Sequence, residues 1–318
     1  MQKYIIRRIL LFFPTLLMGS FLIFAIMRIL PGDIAIVILG GEEEVITPEA
    51  LENLRIQLGL YDPLWLQYVK WLWSMVNGSF GGESLVDSEP IRDIIKLRLP
   101  VSAQLAFITV IGAFTVAVPM GVIAAMRQDK WADYAIRVFL IGGLSIPSFW
   151  MGLLLLLFML LVFRWVPPII YQDFWENPWH NFMTMIFPAI CLGWNYAAYV
   201  ARVTRSTVLE VLRQDYIRTA HAKGLPIRVV MSRHCLRNAL IPVVTLGGVY
   251  IEGLMSGSVI METIFNMPGL GAAVIDTVTR RDYPVVQSLA MLFIFMVLFT
   301  NLLVDLSYSF FDPRIKYS

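Results

Sequence analysis

Long apolar runs constrain the fold of this 318-residue chain more than any other feature. A helix needs about 20 predominantly apolar residues to cross a bilayer, and each run reaches about that length. Hydrophobic residues make up 58% of the chain and charged residues 15%, which is far from the average of soluble proteins. We therefore predict an all-α integral membrane protein with about six transmembrane helices. The predicted spans are Ile9–Met27, Val101–Ala125, Ala135–Phe163, Met183–Ala201, Ala239–Ile264 and Val286–Tyr308.

Several classes of function are disfavoured by what the sequence lacks. The net charge of +2 does not suggest a nucleic-acid partner, and the two cysteines fit neither a disulfide framework nor a zinc pattern. No phosphate-binding loop of the G-x-x-x-x-G-K-[ST] type is present, and the three histidines are not at metal-ligand spacing. We predict that the chain is not an enzyme and that it binds no cofactor and no metal.

The distribution of basic residues predicts the orientation, because cytoplasmic loops carry an excess of Lys and Arg. The first run leads into Arg28 and Pro31 rather than into a small-residue cleavage site, so we expect an uncleaved first span. Both termini are predicted to be cytoplasmic, with an extracytoplasmic segment between the first two helices. The basic residues assigned to the inside are Lys3, Arg7, Arg8, Arg127, Lys130, Arg137, the run from Arg202 to Arg237, Arg314 and Lys316.

Three regions follow from this topology. Residues 1–30 form the N-terminal tail and first span, residues 31–100 the extracytoplasmic segment, and residues 101–318 a five-helix core with a cytoplasmic loop at 202–238. Residues 65–80, WLQYVKWLWSMVNGSF, have apolar and aromatic residues at helical spacing, which is typical of a membrane interface. This helix either packs on the outer ends of the spans or also receives a soluble partner.

The cytoplasmic loop carries the most informative motif. Residues 216–225 read YIRTAHAKGL, and Arg233-His234 and LRNALIP at residues 236–242 follow. This pattern resembles the permease subunits of ABC importers, in the dipeptide, oligopeptide and nickel branch, and specifically the B-type subunit. The broader importer loop agrees only at Ala220, Gly224 and Leu236, and the departures are similar to those of the peptide branch. Further matching motifs, in chain order, are Arg7-Arg8, Pro31-Gly32-Asp33, Leu58-Gly59-Leu60, Gln67-Tyr68, Arg98-Leu99-Pro100, Ser145–Phe149, Glu262–Phe265, Pro268–Gly271, Arg281–Pro284 and Asp312-Pro313-Arg314.

The resemblance implies a set of partners. It implies a second, homologous permease subunit, two cytoplasmic ATPase subunits or domains that hold ATP and Mg, and an extracytoplasmic substrate-binding protein. It also implies a bacterial or archaeal plasma membrane, a path shared by the two permeases, and peptides as the substrate. Nickel complexes, glutathione and oligosaccharides remain alternative substrates. A stand-alone secondary transporter is the rival class, but it predicts inverted repeats and ionisable relays in several spans, and neither is evident.

The resemblance also assigns the loop to ATPase coupling. We expect a short helix at Tyr216–Lys223 that ends at Gly224, since glycine suits a left-handed helix terminus, and a second helical piece after Pro226. Small residues at 220 and 224 would permit close approach of an ATPase. An ordinary basic inner loop is the alternative. The candidate coupling residues are Arg218, Thr219, Ala220, Lys223, Gly224 and Leu225.

Other residues are candidates for the translocation path or its outer gate. A carboxylate within a span is costly in lipid, so Glu252 should face protein or water, either lining the path or paired structurally. Pro147 should kink the third span. The segment Glu262–Pro284 is rich in glycine and proline, and we expect it to re-enter the membrane or lie flat as a gate or a simple loop. The pathway and gate candidates are Glu252, Ser258, Glu262, Pro268, Gly269 and Asp282.

Overall fold

A computed structural model describes residues 2–29, 35–36, 47–57 and 59–311. These residues form helices and connecting turns, with no β-strand among them. The predicted all-α class is therefore confirmed for the described part of the chain. The helices are α1 Gln2–Ile29, α2 Pro48–Gln57, α3 Leu64–Val76, α4 Ile91–Met126, α5 Trp131–Ser145, α6 Ser148–Phe158, α7 Pro178–Leu212, α8 Asp215–Ala222, α9 Ile227–Val229, α10 Leu236–Ile264, α11 Leu270–Thr279 and α12 Tyr283–Phe311.

Four of these helices are long and apolar enough to cross a membrane. They are α1 over Ile5–Ile29, α4, α7, and α12 over Tyr283–Leu306. The third predicted span is bent by 103° between α5 and α6, whose apolar run continues to Phe163 in a π-helical turn. The break lies at Ile146-Pro147, where proline has no N–H for a helical hydrogen bond. The expected disruption at Pro147 is confirmed, but it is a sharp bend rather than a kink in a continuous helix.

The chain divides into two compact units. The first is built chiefly from Ser102–Met267, and in it α7 packs against α5, α6 and α10. Small side chains on α7, including Ala197, Ala198 and Ala201, are buried at these interfaces. A Cβ on Gly121 of α4 would lie 2.6 Å from the carbonyl oxygen of Ala201. Close backbone approach through small residues therefore holds this unit together, as is typical of membrane helices.

The second unit comprises Gln2–Val101 and Pro268–Phe299. Its core contains Ile91 and Ile95 from the start of α4, Leu270 from α11, and Val285 and Leu289 from α12, all of them buried. The predicted division at residues 30 and 100 describes membrane topology and stays a prediction.

Helix α3 packs along the second half of α1 in this unit. The hydroxyl groups of Ser20 and Tyr68 lie 2.8 Å apart, and the Tyr68 ring makes edge contacts with Phe21 and Phe24. Trp65 and Trp73, in contrast, are more than two-thirds exposed. The expected helix within residues 65–80 is therefore present as Leu64–Val76, and it packs on a span while presenting tryptophans outward.

Candidate functional site

Helix α8 and the turn after it form a compact hairpin in the predicted cytoplasmic loop. Gly224 has φ +78°, the left-handed region, which non-glycine residues adopt at a cost of roughly 1–2 kcal/mol. The Leu225 N–H donates to the Ala220 carbonyl at 3.3 Å, and the Gly224 N–H donates to the His221 carbonyl at 2.9 Å. These two bonds define a Schellman motif, which satisfies carbonyl groups at the end of α8. The expected helix, its end at Gly224 and the second helical piece are confirmed.

One face of α8 packs into the chain's own core. Ile217 and Ala220 are buried together with Val230, Met231 and Cys235 from the segment between α9 and α10. Leu225 is half-buried against the same cluster. From the sequence, Ala220 was expected on the surface that a partner approaches; that placement is wrong, because Ala220 is buried. The small side chain of Ala220 lets α8 lie close to the π-helical segment Val230–Cys235 and so supports the hairpin from behind.

The opposite face of α8 is exposed. Arg218 and Thr219 lie on it, and Lys223 and Gly224 are exposed in the turn that follows the helix. A Cβ built on Gly224 meets nothing within 4 Å. The ion pair between Arg218 and Asp215 spans 3.6 Å with both side chains largely in solvent, so it contributes little to stability. The hairpin thus presents a cationic surface whose charges are available to a partner.

Two contacts fix the hairpin to the helices that flank it. The Asn238 side chain of α10 donates to the Tyr216 hydroxyl of α8 at 2.9 Å. Val208 of α7 is fully buried in the same cluster as Ile217. Because α8 is packed directly against α7 and α10, a displacement of α8 would be passed on to these two helices.

A buried ion pair joins the start of α5 to the C-terminal part of α7, and it was not predicted from the sequence. The Asp133 carboxylate is fully buried and accepts from Nε and Nη2 of Arg205 at 2.8 and 2.7 Å. Arg137 lies 3.4 Å from the same carboxylate, and the Asp129 N–H donates to it at 3.0 Å. Arg205 was counted only as one of the basic residues of the loop. An isolated acidic residue at the start of an apolar run, Asp133, was the available signal.

Two of the gate candidates come together near the end of α10. Glu262 is fully buried and accepts a hydrogen bond from the Ser102 hydroxyl at 2.6 Å. Ser258, one helical turn earlier, is also buried. The side chain of Glu252, the main path candidate, lies outside the described residues, although its backbone belongs to α10.

The remaining gate candidates belong to the second compact unit. Asp282 is almost fully buried and accepts from the Ser84 hydroxyl at 2.5 Å. A second contact joins the same two turns: Nη1 of Arg280 donates to both carboxylate oxygens of Asp87 at 3.2 Å. Pro268 and Gly269 precede α11, which is too short to cross a bilayer. Asp282 thus fastens the turn after residue 83 to the turn between α11 and α12.

No three His, Cys, Asp or Glu side chains gather as a metal site within residues 2–29, 35–36, 47–57 and 59–311.

Comparison with known protein families assigns the chain to a class of transport proteins. Residues 117–317 match the model described as the inner membrane component of binding-protein-dependent transport systems, and residues 1–106 match the N-terminal model for the same components. The chain belongs to this family.

Several relatives of this transport component match it over its full length. The oligopeptide transport system permease protein AppB of Bacillus subtilis is 38% identical, and the dipeptide transport system permease protein DppB of Alkalihalophilus pseudofirmus is 36% identical. The glutathione transport system permease protein GsiC of Escherichia coli is 37% identical. Each alignment covers 100% of both chains. The family and the apolar helices together make this a multi-pass membrane protein.

Proposed function

We propose that the chain is one of two permease subunits of an ATP-driven peptide importer in the bacterial inner membrane, and that it forms half of the translocation path. The observation that carries this proposal is the cationic hairpin of α8, which is packed on one face and exposed on the other, in a family member that has full-length peptide-permease relatives. The proposed topology has six spans, with α10 as the fifth, and both termini in the cytoplasm. A substrate-binding protein would deliver the peptide from outside.

The proposed coupling mechanism uses the two faces of α8 differently. The exposed face, with Arg218, Thr219 and Lys223, docks in a groove of a partner ATPase and meets acidic groups there. The buried face, with Ile217 and Ala220, transmits the resulting displacement to α7 and α10. ATP and Mg are held by the partner ATPases, and their closure on ATP would move the two permeases between inward- and outward-facing states. This chain performs no bond chemistry.

The pathway residues are proposed from α10 and the segment that follows it. Glu252 would line the path within the span, and Ser258 and Glu262 would lie towards its outer end. Glu262 is fully buried and accepts a hydrogen bond from Ser102. We therefore assign it to a gate, whose packing changes between two states, and not to a water-exposed wall of the path. Pro268, Gly269 and Asp282 would belong to the outer cover of the path.

The substrate is proposed to be a peptide because the relatives named above transport oligopeptides, dipeptides and glutathione, which is itself a small peptide. Nickel complexes and oligosaccharides are the alternative cargoes for the same architecture. A direct binding screen on the partner substrate-binding protein would separate these alternatives.

A pair of glycine variants tests the coupling proposal. Gly224 and Gly78 are both exposed, both have positive φ, at +78° and +88°, and neither would place a Cβ within 4 Å of another residue. Replacing either by Trp therefore imposes similar strain and bulk. In a complex reconstituted with its ATPases and binding protein, Gly224→Trp should abolish most transport and substrate-stimulated ATP hydrolysis, while Gly78→Trp should retain both. Normal stimulation in an assembled Gly224→Trp complex would remove the hairpin from the mechanism.

A further inference from the structure

A cavity of about 600 Å³ lies in the second compact unit, outside the proposed coupling surface and path. Its walls come from the ends of α1 and α2, from α3 and the turns on either side of it, and from the first turns of α12. The volume is in the range of small-molecule sites. The residues that matter for its chemistry are Arg28, Gln67, Trp71 and Gln287, with Phe24 beside them.

Each of these four polar side chains has a buried atom without a hydrogen-bond partner in the described part of the chain. Three are donors: Nε of Arg28, Nε1 of Trp71 and Nε2 of Gln287. The fourth is an acceptor, Oε1 of Gln67. Gln67 and Gln287 are 8% and 9% exposed. Buried polar groups are nearly always paired, so four unpaired atoms around one cavity indicate a polar occupant.

The amide nitrogen of Gln67 fixes the position of the unpaired Oε1 atom on the same side chain. The Gln67 amide nitrogen donates to the carbonyl oxygens of Asp62 at 2.7 Å and Leu60 at 3.3 Å. The side chain is therefore anchored to the turn before α3 and cannot easily rotate to find another partner. An occupant that fits this wall needs a donor of its own as well as acceptors for the other three groups.

The charge of the walls selects an anion. Lys70 is paired with Asp62 at 2.6 Å, so these two charges offset each other. Arg28 remains, with its guanidinium 5.1 Å from the centre of the Phe24 ring. One net positive charge and three unpaired donors on the walls of one cavity fit an oxyanion of charge −1. Hydrogen bonds to such an ion are the strong, charge-assisted kind. A phosphate diester has this charge.

The surroundings favour a lipid as the source of that phosphate. Leu22 and Ile26 on α1 are more than half exposed, as is expected for a helix in contact with acyl chains. Trp65 and Trp73 are exposed on α3, and tryptophans of this kind sit at the headgroup level of a bilayer. The cavity therefore lies between a lipid-facing helix and an interfacial one.

We infer that this cavity binds the headgroup of a phospholipid. Arg28, Trp71 and Gln287 donate to its phosphate, and Gln67 accepts from an ammonium or hydroxyl group of the headgroup. The inference does not depend on the import function, since it rests on residues outside the hairpin and the proposed path. A bound lipid would join α1, α3 and α12 at one end of the unit.

The test uses the purified full-length chain, stripped of lipid in an uncharged maltoside detergent. Short-chain phosphatidylethanolamine, the corresponding diacylglycerol without phosphate, and inorganic phosphate are titrated separately, and binding is measured by native mass spectrometry and calorimetry. Phosphatidylethanolamine should bind at one saturable site and the diacylglycerol should not. Arg28→Met should weaken that binding at least about tenfold, and Trp71→Phe about three- to tenfold.

Matched controls separate this site from general surface effects. Trp73→Phe removes an exposed indole N–H from the same helix, and Arg92→Met removes an exposed arginine of the same unit, so both should bind as the parent does. If Arg28→Met does not yield folded protein, Gln287→Leu takes its place with an expected loss of a few-fold or more. Inorganic phosphate binding as tightly as the lipid would keep the phosphate chemistry and overturn the lipid source. Equal binding of the phosphate-free lipid, unchanged affinity in the cavity variants, or no binding of any probe would overturn the inference.

Discussion

The buried ion pair between Asp133 and Arg205 makes the most quantitative prediction. Arg205→Met removes two hydrogen bonds of 2.7–2.8 Å from a carboxylate that has no exposed surface. Removing one partner of a buried charge pair costs roughly 3–5 kcal/mol, because the remaining charge is left uncompensated. Arg137 at 3.4 Å and the Asp129 N–H at 3.0 Å still compensate part of that charge. We therefore expect a loss of about 2–3 kcal/mol in the free energy of unfolding.

The complementary changes should cost less. Asp133→Leu leaves Arg205 and Arg137, whose side chains are 21% and 39% exposed and can turn towards water, so about 1–2 kcal/mol is expected. The double variant removes both charges of the hydrogen-bonded pair and leaves only Arg137, which is 39% exposed. It should be close to the parent, within about 1 kcal/mol, since apolar replacements of buried pairs are often neutral.

The assay is a double-mutant cycle on the purified protein in detergent, with unfolding followed by circular dichroism. Arg92→Met serves as the control, because its pair with Asp93 is exposed on both sides and should contribute almost nothing. The expected order of stability is parent, then double variant, then Asp133→Leu, then Arg205→Met. A double variant as unstable as the sum of the two single losses would show that the two residues act independently, and the reasoning would be refuted.

The remaining predictions concern packing, topology and the path. Gly121→Ala should destabilise the protein by about 1–3 kcal/mol in thermal unfolding, because the new Cβ would overlap α7. Gly112→Ala on the same helix is the control: its Cβ meets open space, so the change should be neutral or slightly stabilising. Cysteines introduced at Asn77 should react with an impermeant thiol reagent in intact cells, and a cysteine at Arg213 should not; labelling of position 213 from outside would reverse the topology. Glu252→Gln should change transport per assembled complex, or its pH dependence, if the residue lines the path; a variant equal to the parent at every pH would make it a packing residue.

The labelling experiment has a favourable background. The two native cysteines, Cys191 and Cys235, are both buried. Burial also raises the pKa of the Cys235 thiol above its usual value, so less of the reactive thiolate is present at any given pH. Because the raised pKa delays ionisation, labelling of Cys235 should be slow at neutral pH and should increase only at a higher pH than labelling of an exposed cysteine does. Fast labelling of the parent at neutral pH would contradict this burial.

Local signals in the sequence predicted the helical elements well. The turn at Arg127–Lys130 separates α4 from α5, and glycine and proline mark the end of α8 and the start of α9, because these residues act through their own backbone. The size of the bend at Pro147 was not predictable in this way. A proline removes one hydrogen bond, but a 103° angle between α5 and α6 depends on the helices against which each of them packs.

Long-range contacts were the part that sequence reasoning could not supply. The basic composition of the loop predicted that it is exposed to solvent. The burial of Ala220, however, depends on Val230 and Met231, which pack against α8. Likewise, Asp282 was identified from the sequence as a gate candidate within Glu262–Pro284, and its partner Ser84 lies 198 positions away. Nothing in the local pattern around either residue indicates such a partner. The candidate residues were thus found from motifs, and the contacts of their individual side chains became known only from the packing in the structure.

The central claim is that the exposed face of α8 contacts an ATPase subunit, and site-specific photocrosslinking tests it most directly. A benzophenone amino acid is placed at Thr219 or Lys223, both exposed on that face, or at Ser88 in the second unit, which is also exposed and serves as the control. After irradiation of membranes that contain the assembled complex, positions 219 and 223 should each form a covalent product with the ATPase subunit, and position 88 should form none. The absence of an ATPase product at both hairpin positions, or an equal yield at position 88, would contradict the account.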